Sequence, residues 1–339
     1  MKLYVIGNGF DVHHGLDTRY TSFGLYLKNN YWETYELLLD YYGFADLDPD
    51  FPTTMSDPLW SEFETSMSLL DKDSVLEANM DAMPNYSSDD FRDRDRYTLE
   101  IEMERILGLL TTELYKAFKE FILAVQFPQF DHSRSVNIDR DAVYLTFNYT
   151  DTLSQYYAIP DKNVLFIHGK ADEHIDELIL GHGVDPENFK EKPAEPPSGL
   201  SDEDLERWME YQSDQYDYSF ERGKDAVNQY FSATFKGTDQ IIKNNENFFA
   251  KLGNIDEVYV LGHSLADVDL PYFKKLEQSV RPDAKWVVTF YDPDDEKVHG
   301  ETLTGLGIAN VAVVGNDSNL LIVFYVQIMP DDFVMQLHR

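Results

Sequence analysis

The sequence predicts an α/β fold, a parallel sheet with helices on both faces and a large helical insertion. Three observations lead there. Short apolar, partly β-branched runs alternate with stretches of helical periodicity. The first run, Leu3 to Ile6, breaks straight into Gly7-Asn8-Gly9, a tight turn of the kind that leads a strand into a helix. Four runs far apart in the chain each end in a short polar signature: GNGFD, TFNYTD, IHGK and GHSLADVD. Ligands of an open parallel sheet bind beyond the carboxyl ends of its strands, so these four stretches would converge on one cleft.

The elements follow in order. A helix opening at Asp11 to Leu16 would bring its dipole and the backbone N–H groups of the glycine turn to one anion site. Gly7 and Gly9 fit only half of the dinucleotide fingerprint, because Val12 holds the third glycine position. Residues 16–126 read as mostly helical. Asp57 and Pro58 mark a helix start as N-cap and first turn. Leu99, Met103, Ile106, Leu107, Leu110, Leu114, Phe118, Phe121 and Val125 form one helical stripe. Strands are expected at Ala142 to Phe147, Asn163 to Ile167 and, more briefly, Glu177 to Leu180. A proline-rich acidic loop follows, then Ser201 as a helix cap and two helices across residues 202–252. Further strands are expected at Val258 to Leu261, Trp286 to Tyr291, Val311 to Val314 and Leu321 to Gln327.

Composition bounds the function. The 339 residues suit one large domain with insertions, or two domains, and 43% hydrophobic content supplies an ample core. The longest apolar run, Leu320 to Val326, is too short to span a membrane. The opening MKLYVIGNGF lacks a secretory pattern, so the expected compartment is the cytoplasm. Without cysteine there is no disulfide, thiolate nucleophile or cysteine-bound zinc. A net charge of −34 repels nucleic-acid backbones and anionic lipid, while a local basic pocket could still hold one small nucleotide.

Each polar residue also has a plain structural reading. Asn148 could cap the helix after its strand, and His168 could be a hydrogen-bonded core histidine. His13 and His14 point about 100° apart on a helix and make a poor metal pair, so one packs and one faces solvent. His182 and His263, each beside a glycine at a strand end, could face a ligand. Asp292-Pro293-Asp294-Asp295 reads as a turn with Asx chemistry rather than a magnesium site. The chain contains no Walker loop, no HExxH and no G-x-S-x-G.

The segments GNGFDVHHGLDTRY, LWSEFE, TFNYTDTL, IHG, LGHG and LGHSLADVDLPYF run in one order from residue 5 to about 273. In them the chain resembles the bacteriophage abortive-infection AbiH family. That family is in turn similar to the sirtuin-like NAD-binding superfamily, which includes antiviral NAD hydrolases. There a glycine turn after the first strand is followed by T-x-N-Y/I and, further on, by HG; here Asn148 and His168 stand twenty residues apart.

The resemblance implies a Rossmann-like (sirtuin-like) core in residues 1–15 and 131–339, with an acidic insertion at about 184–252 and a helical insertion at 16–130. It implies an anti-phage protein that binds NAD or a related nucleotide and hydrolyses it to nicotinamide and ADP-ribose when triggered. Splitting the nicotinamide–ribose bond passes through an oxocarbenium-like transition state. It needs the ribose held still, a water on the far face and a base. By resemblance Asn148 positions ribose or water and His168 is the base, a contribution of roughly 10²–10⁴-fold. Gly7, Asn8, Gly9 and Asp11 would line the phosphate and ribose, with Thr146 beside them. Gly262, His263, Ser264 and Asp269 would close the other side. The expected partners are a small nucleotide and a phage or host protein as trigger; no metal and no membrane is expected, and self-association is left open.

The departures also count. Sirtuin deacetylases carry a four-cysteine zinc module that this cysteine-free chain cannot form, which rejects protein deacetylation. Asn8 and Phe10-Asp11 stand where sirtuins have small residues, so the nicotinamide pocket would differ. Two other functions fit the same cleft. One is a non-catalytic nucleotide sensor whose helical insertion and acidic surface grip a protein; the other is hydrolysis of another nucleotide or of RNA, the last opposed by the charge.

Overall fold

The computed structural model describes residues 1–315 except 52, 175–177 and 193. Six strands, β1 (Lys2–Ile6), β2 (Val143–Thr146), β3 (Val164–Phe166), β4 (Glu257–Leu261), β5 (Lys285–Phe290) and β6 (Val311–Gly315), form one sheet. Its order is β3-β2-β1-β4-β5-β6, with every pair parallel. This is the doubly wound α/β arrangement, Rossmann-like in strand order, and the order reverses between β1 and β4.

Both faces of the sheet are covered, which is why its strands read as apolar runs rather than alternating ones. Leu3, Val5, Leu145, Val258, Val260 and Val288 face one side, where they pack with Tyr272, Phe273 and Leu276 of the helix Leu270–Ser279. Tyr4, Ile6, Tyr144, Tyr259 and Leu261 face the other, against Phe10, Leu153 and Tyr157. Register aligns Tyr4 with Tyr144 on one side and Tyr259 on the other, and both ring pairs stack at 5.1 Å.

The chain divides into two compact units. The sheet unit comprises Met1–Tyr26, Phe118–Leu180 and the chain from Lys236 on; the second comprises Leu27–Ala117 and Gly181–Phe235. Within the second, Trp60 is fully buried and stacks on Phe63, and its indole N–H donates to the Ala45 carbonyl at 2.9 Å. The helices Thr98–Gly108 and Tyr218–Ala233 touch so closely at Gly223 that a Cβ there would lie 2.7 Å from a Leu99 methyl. Asp57 caps its helix by accepting from the Trp60 amide, and Ser201 does the same for Asp202–Gln215 through Asp204. The long stripe from Leu99 is one helical path, but its turn at Leu109–Glu113 is a π-helix.

Several expectations shift. The first helix is Asn8–His13, three residues earlier than predicted, because extended Gly7 serves as its N-cap. Leu178 to Leu180 form no strand; the Ile179 amide instead donates to the His168 carbonyl, and residue 177 lies outside the described residues. Residues 202–252 hold four α-helices rather than two, since Ala233 and Asn244 end theirs well before the acidic segment does. Asp292 accepts from the Asp294 amide at 3.0 Å, the expected Asx turn. The run Leu321 to Gln327 lies outside the described residues. Among the described residues, no helix is long and apolar enough to cross a membrane.

Candidate functional site

The carboxyl ends of β1, β2, β3 and β4 lie side by side, so the four polar signatures meet as the strand order requires. The turn after β1 is fused to the turn after β4. Gly7 N–H donates to the Leu261 carbonyl at 3.0 Å and Gly9 N–H to the Gly262 carbonyl at 2.8 Å. A Cβ on Gly7 would lie 2.5 Å from His263 Cα, and one on Gly9 would lie 2.9 Å from Gly262 Cα. Gly262 has φ of 66°, and a Cβ on it would collide with the Phe10 nitrogen. Both glycines of the first turn are therefore required by the close approach of two backbones. Their N–H groups point at β4 rather than outward, which corrects the expectation of an exposed anion cradle.

Asp11 and Asn148 form the centre of the first cluster. Asp11 is fully buried one turn into the first helix, and its Oδ2 accepts a hydrogen bond from the Thr150 hydroxyl. Thr150 and Thr152 hydroxyls lie 3.1 Å apart. Burial pushes the Asp11 carboxyl up to about 6, against the opposing pull of Thr150, Thr152 and Asn148. The Asn148 amide is near enough to favour the Asp11 charge, yet neither of its polar atoms closes a hydrogen bond, and Asp11 Oδ1 has no partner either. Thr146 holds the backbone here, its hydroxyl accepting from the Asn148 amide N–H at 3.1 Å. Asn148 is not a helix cap: Asp151 occupies that position for the helix Thr152–Tyr157.

The second cluster is built on charge. Asp269 is nearly enclosed, with Lys236 Nζ 3.0 Å and His168 Nε2 3.7 Å from its Oδ1, and His263 Nε2 3.5 Å from its Oδ2. Burial alone would raise the Asp269 carboxyl, but Lys236, His263 and His168 outweigh it and hold it well below the usual carboxylate range. His263 Nδ1 accepts from the Leu265 amide at 2.9 Å, which leaves the ring proton on Nε2, facing Asp269. His168 is held neutral, first by burial and then by Lys236 and His263, while Asp269 opposes them. Its ring bonds to the Phe147 carbonyl, and its Nε2 makes no hydrogen bond. Phe147, directly before Asn148, meets His263 edge-on at 4.3 Å and His168 at 5.2 Å, and so joins the two clusters.

The structure thus brings together Asp11, Thr146, Asn148, His168, His263 and Asp269. Asn8 is exposed and turned away, bonded to the hydroxyl and carbonyl of Thr18. Ser264 is exposed, and it is its carbonyl that is engaged, 3.2 Å from His299 Nε2. His182 belongs to the second unit, buried among Phe189, Phe231 and Phe235. His14 is the packing histidine of its pair, bonded to the Phe10 carbonyl and the Tyr157 hydroxyl, both at 2.7 Å. Sequence reasoning missed Thr150, though it lies within TFNYTD, and missed Lys236, a single basic residue in FKGTD with no local signal.

No curated protein and no solved structure matches the chain. A family model, bacteriophage abortive infection AbiH, matches residues 3–290, which carries every residue of both clusters. By that match the chain belongs to the AbiH family, and its role lies in phage abortive infection.

Proposed function

We propose that this site binds NAD or a related nucleotide and hydrolyses it to nicotinamide and ADP-ribose when triggered. The observation that carries the reading is a set of buried polar atoms that close no hydrogen bond in the chain: both atoms of the Asn148 amide, Asp11 Oδ1 and His168 Nε2. Buried polar groups are normally paired, and leaving one unpaired costs about 1–3 kcal/mol. Asp11, Asn148 and His168 follow three neighbouring strands, and a polar ligand would supply the hydrogen bonds they lack. The choice of NAD as the ligand rests on the resemblance of the sequence motifs to the sirtuin-like superfamily.

The chemistry follows from the atoms. The C1′–N bond breaks with its electron pair going to the pyridinium ring, so nicotinamide leaves neutral. Water adds to C1′ and gives a proton to His168 Nε2, whose lone pair is available because the ring is neutral. Asn148 offers one donor and one acceptor to orient that water or a ribose hydroxyl, and Asp11 Oδ1 accepts from another hydroxyl. The test is nicotinamide release from NAD by purified wild type and His168→Ala, followed by chromatography, with and without phage lysate. Release by wild type alone supports both the reaction and the base. A thermal shift with NAD but no release under either condition would replace the hydrolase with a nucleotide sensor. Neither release nor shift would remove NAD from the reading.

A further inference from the structure

We propose that Lys236 is a positioning residue for His168: by engaging Asp269 Oδ1 it keeps that carboxylate from capturing the His168 ring, so Nε2 stays open to a substrate proton. The inference rests on the reading of His168 as the base.

The geometry is specific. Lys236 lies in the turn between the helices Tyr218–Ala233 and Thr238–Asn244, where a lysine would ordinarily extend into water. Its side chain is instead completely enclosed, with Nζ 3.0 Å from Asp269 Oδ1. Burying an ammonium costs several kcal/mol before pairing returns any of it, and a methionine would fill similar space without that penalty. Packing therefore does not explain the charge. His168 Nε2 lies 3.7 Å from the same oxygen that Lys236 occupies. The other groups facing His168 are His263, whose Nε2 proton points to Asp269 Oδ2, and the rings of Phe147, Tyr149 and Tyr272. Among the described residues, Lys236 is thus the one fixed cation in the charged group around the ring. With it, Asp269 is balanced and His168 stays neutral. Without it, an uncompensated carboxylate lies next to an imidazole, and the ring takes a proton and pairs with Asp269. A protonated base accepts nothing.

The test uses the full chain with isotope-labelled histidine, the His168 signals being assigned by their loss in His168→Gln. In wild type these signals stay constant through the pH range in which a free imidazole titrates. In Lys236→Met the His168 midpoint moves upward and enters that range. Nicotinamide release by this variant falls on the acid side in step with the His168 titration and recovers as pH rises through the new midpoint. An unchanged His168 titration in a folded Lys236→Met overturns the proposal. Should Lys236→Met not fold, Asp269→Asn decides: the Lys236 charge then faces His168 unopposed and the ring must stay neutral, so its titration inside the range overturns the proposal. The titration needs no NAD. If wild type releases no nicotinamide, the hydrolase reading fails while the role of Lys236 is still decided.

Discussion

The Gly9 amide donates to the Gly262 carbonyl at 2.8 Å, and that bond ties the turn after β1 to the turn after β4. Gly262 combines a φ of 66° with backbone contact to Gly9 and Phe10, whereas Gly307 has a φ of 93° and room for a methyl group at ordinary contact distances. Gly307→Ala should cost about 1–2 kcal/mol, the price of the left-handed conformation alone. Gly262→Ala should cost about 3 kcal/mol or more, because backbone must also move. Urea unfolding of the two variants checks this; equal losses would mean that the two turns are not packed together.

Asp11 and His14 give opposite responses to acid. The Asp11 carboxyl is raised to about 6 by burial, so the stability it contributes is present below its unfolded value near 4 and is lost as pH rises through 6. Burial lowers His14 to about 4, so its contribution is present above its unfolded value near 6.5 and is lost as pH falls toward 4. Each is worth up to about 3 kcal/mol, and in wild type they largely cancel. Asp11→Asn should therefore lose stability steadily between pH 6.5 and 4, and His14→Gln should gain it. Thermal unfolding across that range reads both slopes, and parallel slopes would refute the assignment.

Thr150 is the main opponent of the Asp11 shift. Thr150→Val keeps the shape and removes the hydroxyl that donates to Oδ2. The Asp11 midpoint should then rise above about 6, widening the interval over which acid stabilises the protein. A carboxyl-carbon titration by NMR measures it directly; a lower midpoint would contradict the bond.

Asn148→Ala separates function from stability. Its side-chain amide closes no hydrogen bond within the chain, so removing it should leave unfolding stability within about 1 kcal/mol of wild type, or raise it. Nicotinamide release should fall by about 10²-fold or more. A helix-capping role would instead give a loss of about 1 kcal/mol with activity retained.

The sheet was legible because each strand is a buried apolar run that ends abruptly in polar residues, and the parallel topology follows from helices between the runs. The site was half legible for the same reason: Asp11, Asn148, His168, His263 and Asp269 all sit just beyond strand ends. What escaped depends on distances that no local pattern encodes. Lys236 meets Asp269 across 33 residues of sequence, and an isolated lysine in a polar turn reads as solvated. Gly7 and Gly9 resemble a phosphate turn, but their neighbour is the backbone of Gly262, over 250 residues away. His182 follows the same glycine pattern as His263, yet its strand candidate does not join the sheet.

The placement of β1 has a consequence for synthesis. This strand is made before both of its neighbours, β2 and β4, whose partners for Leu3 are Val143 and Val258. The loop carrying His263 and Asp269 is in turn pinned by the Thr289 hydroxyl, which accepts from the Gly262 amide. A chain still short of β5 lacks that hydroxyl. The last support of His263 and Asp269 is thus also the last to be made.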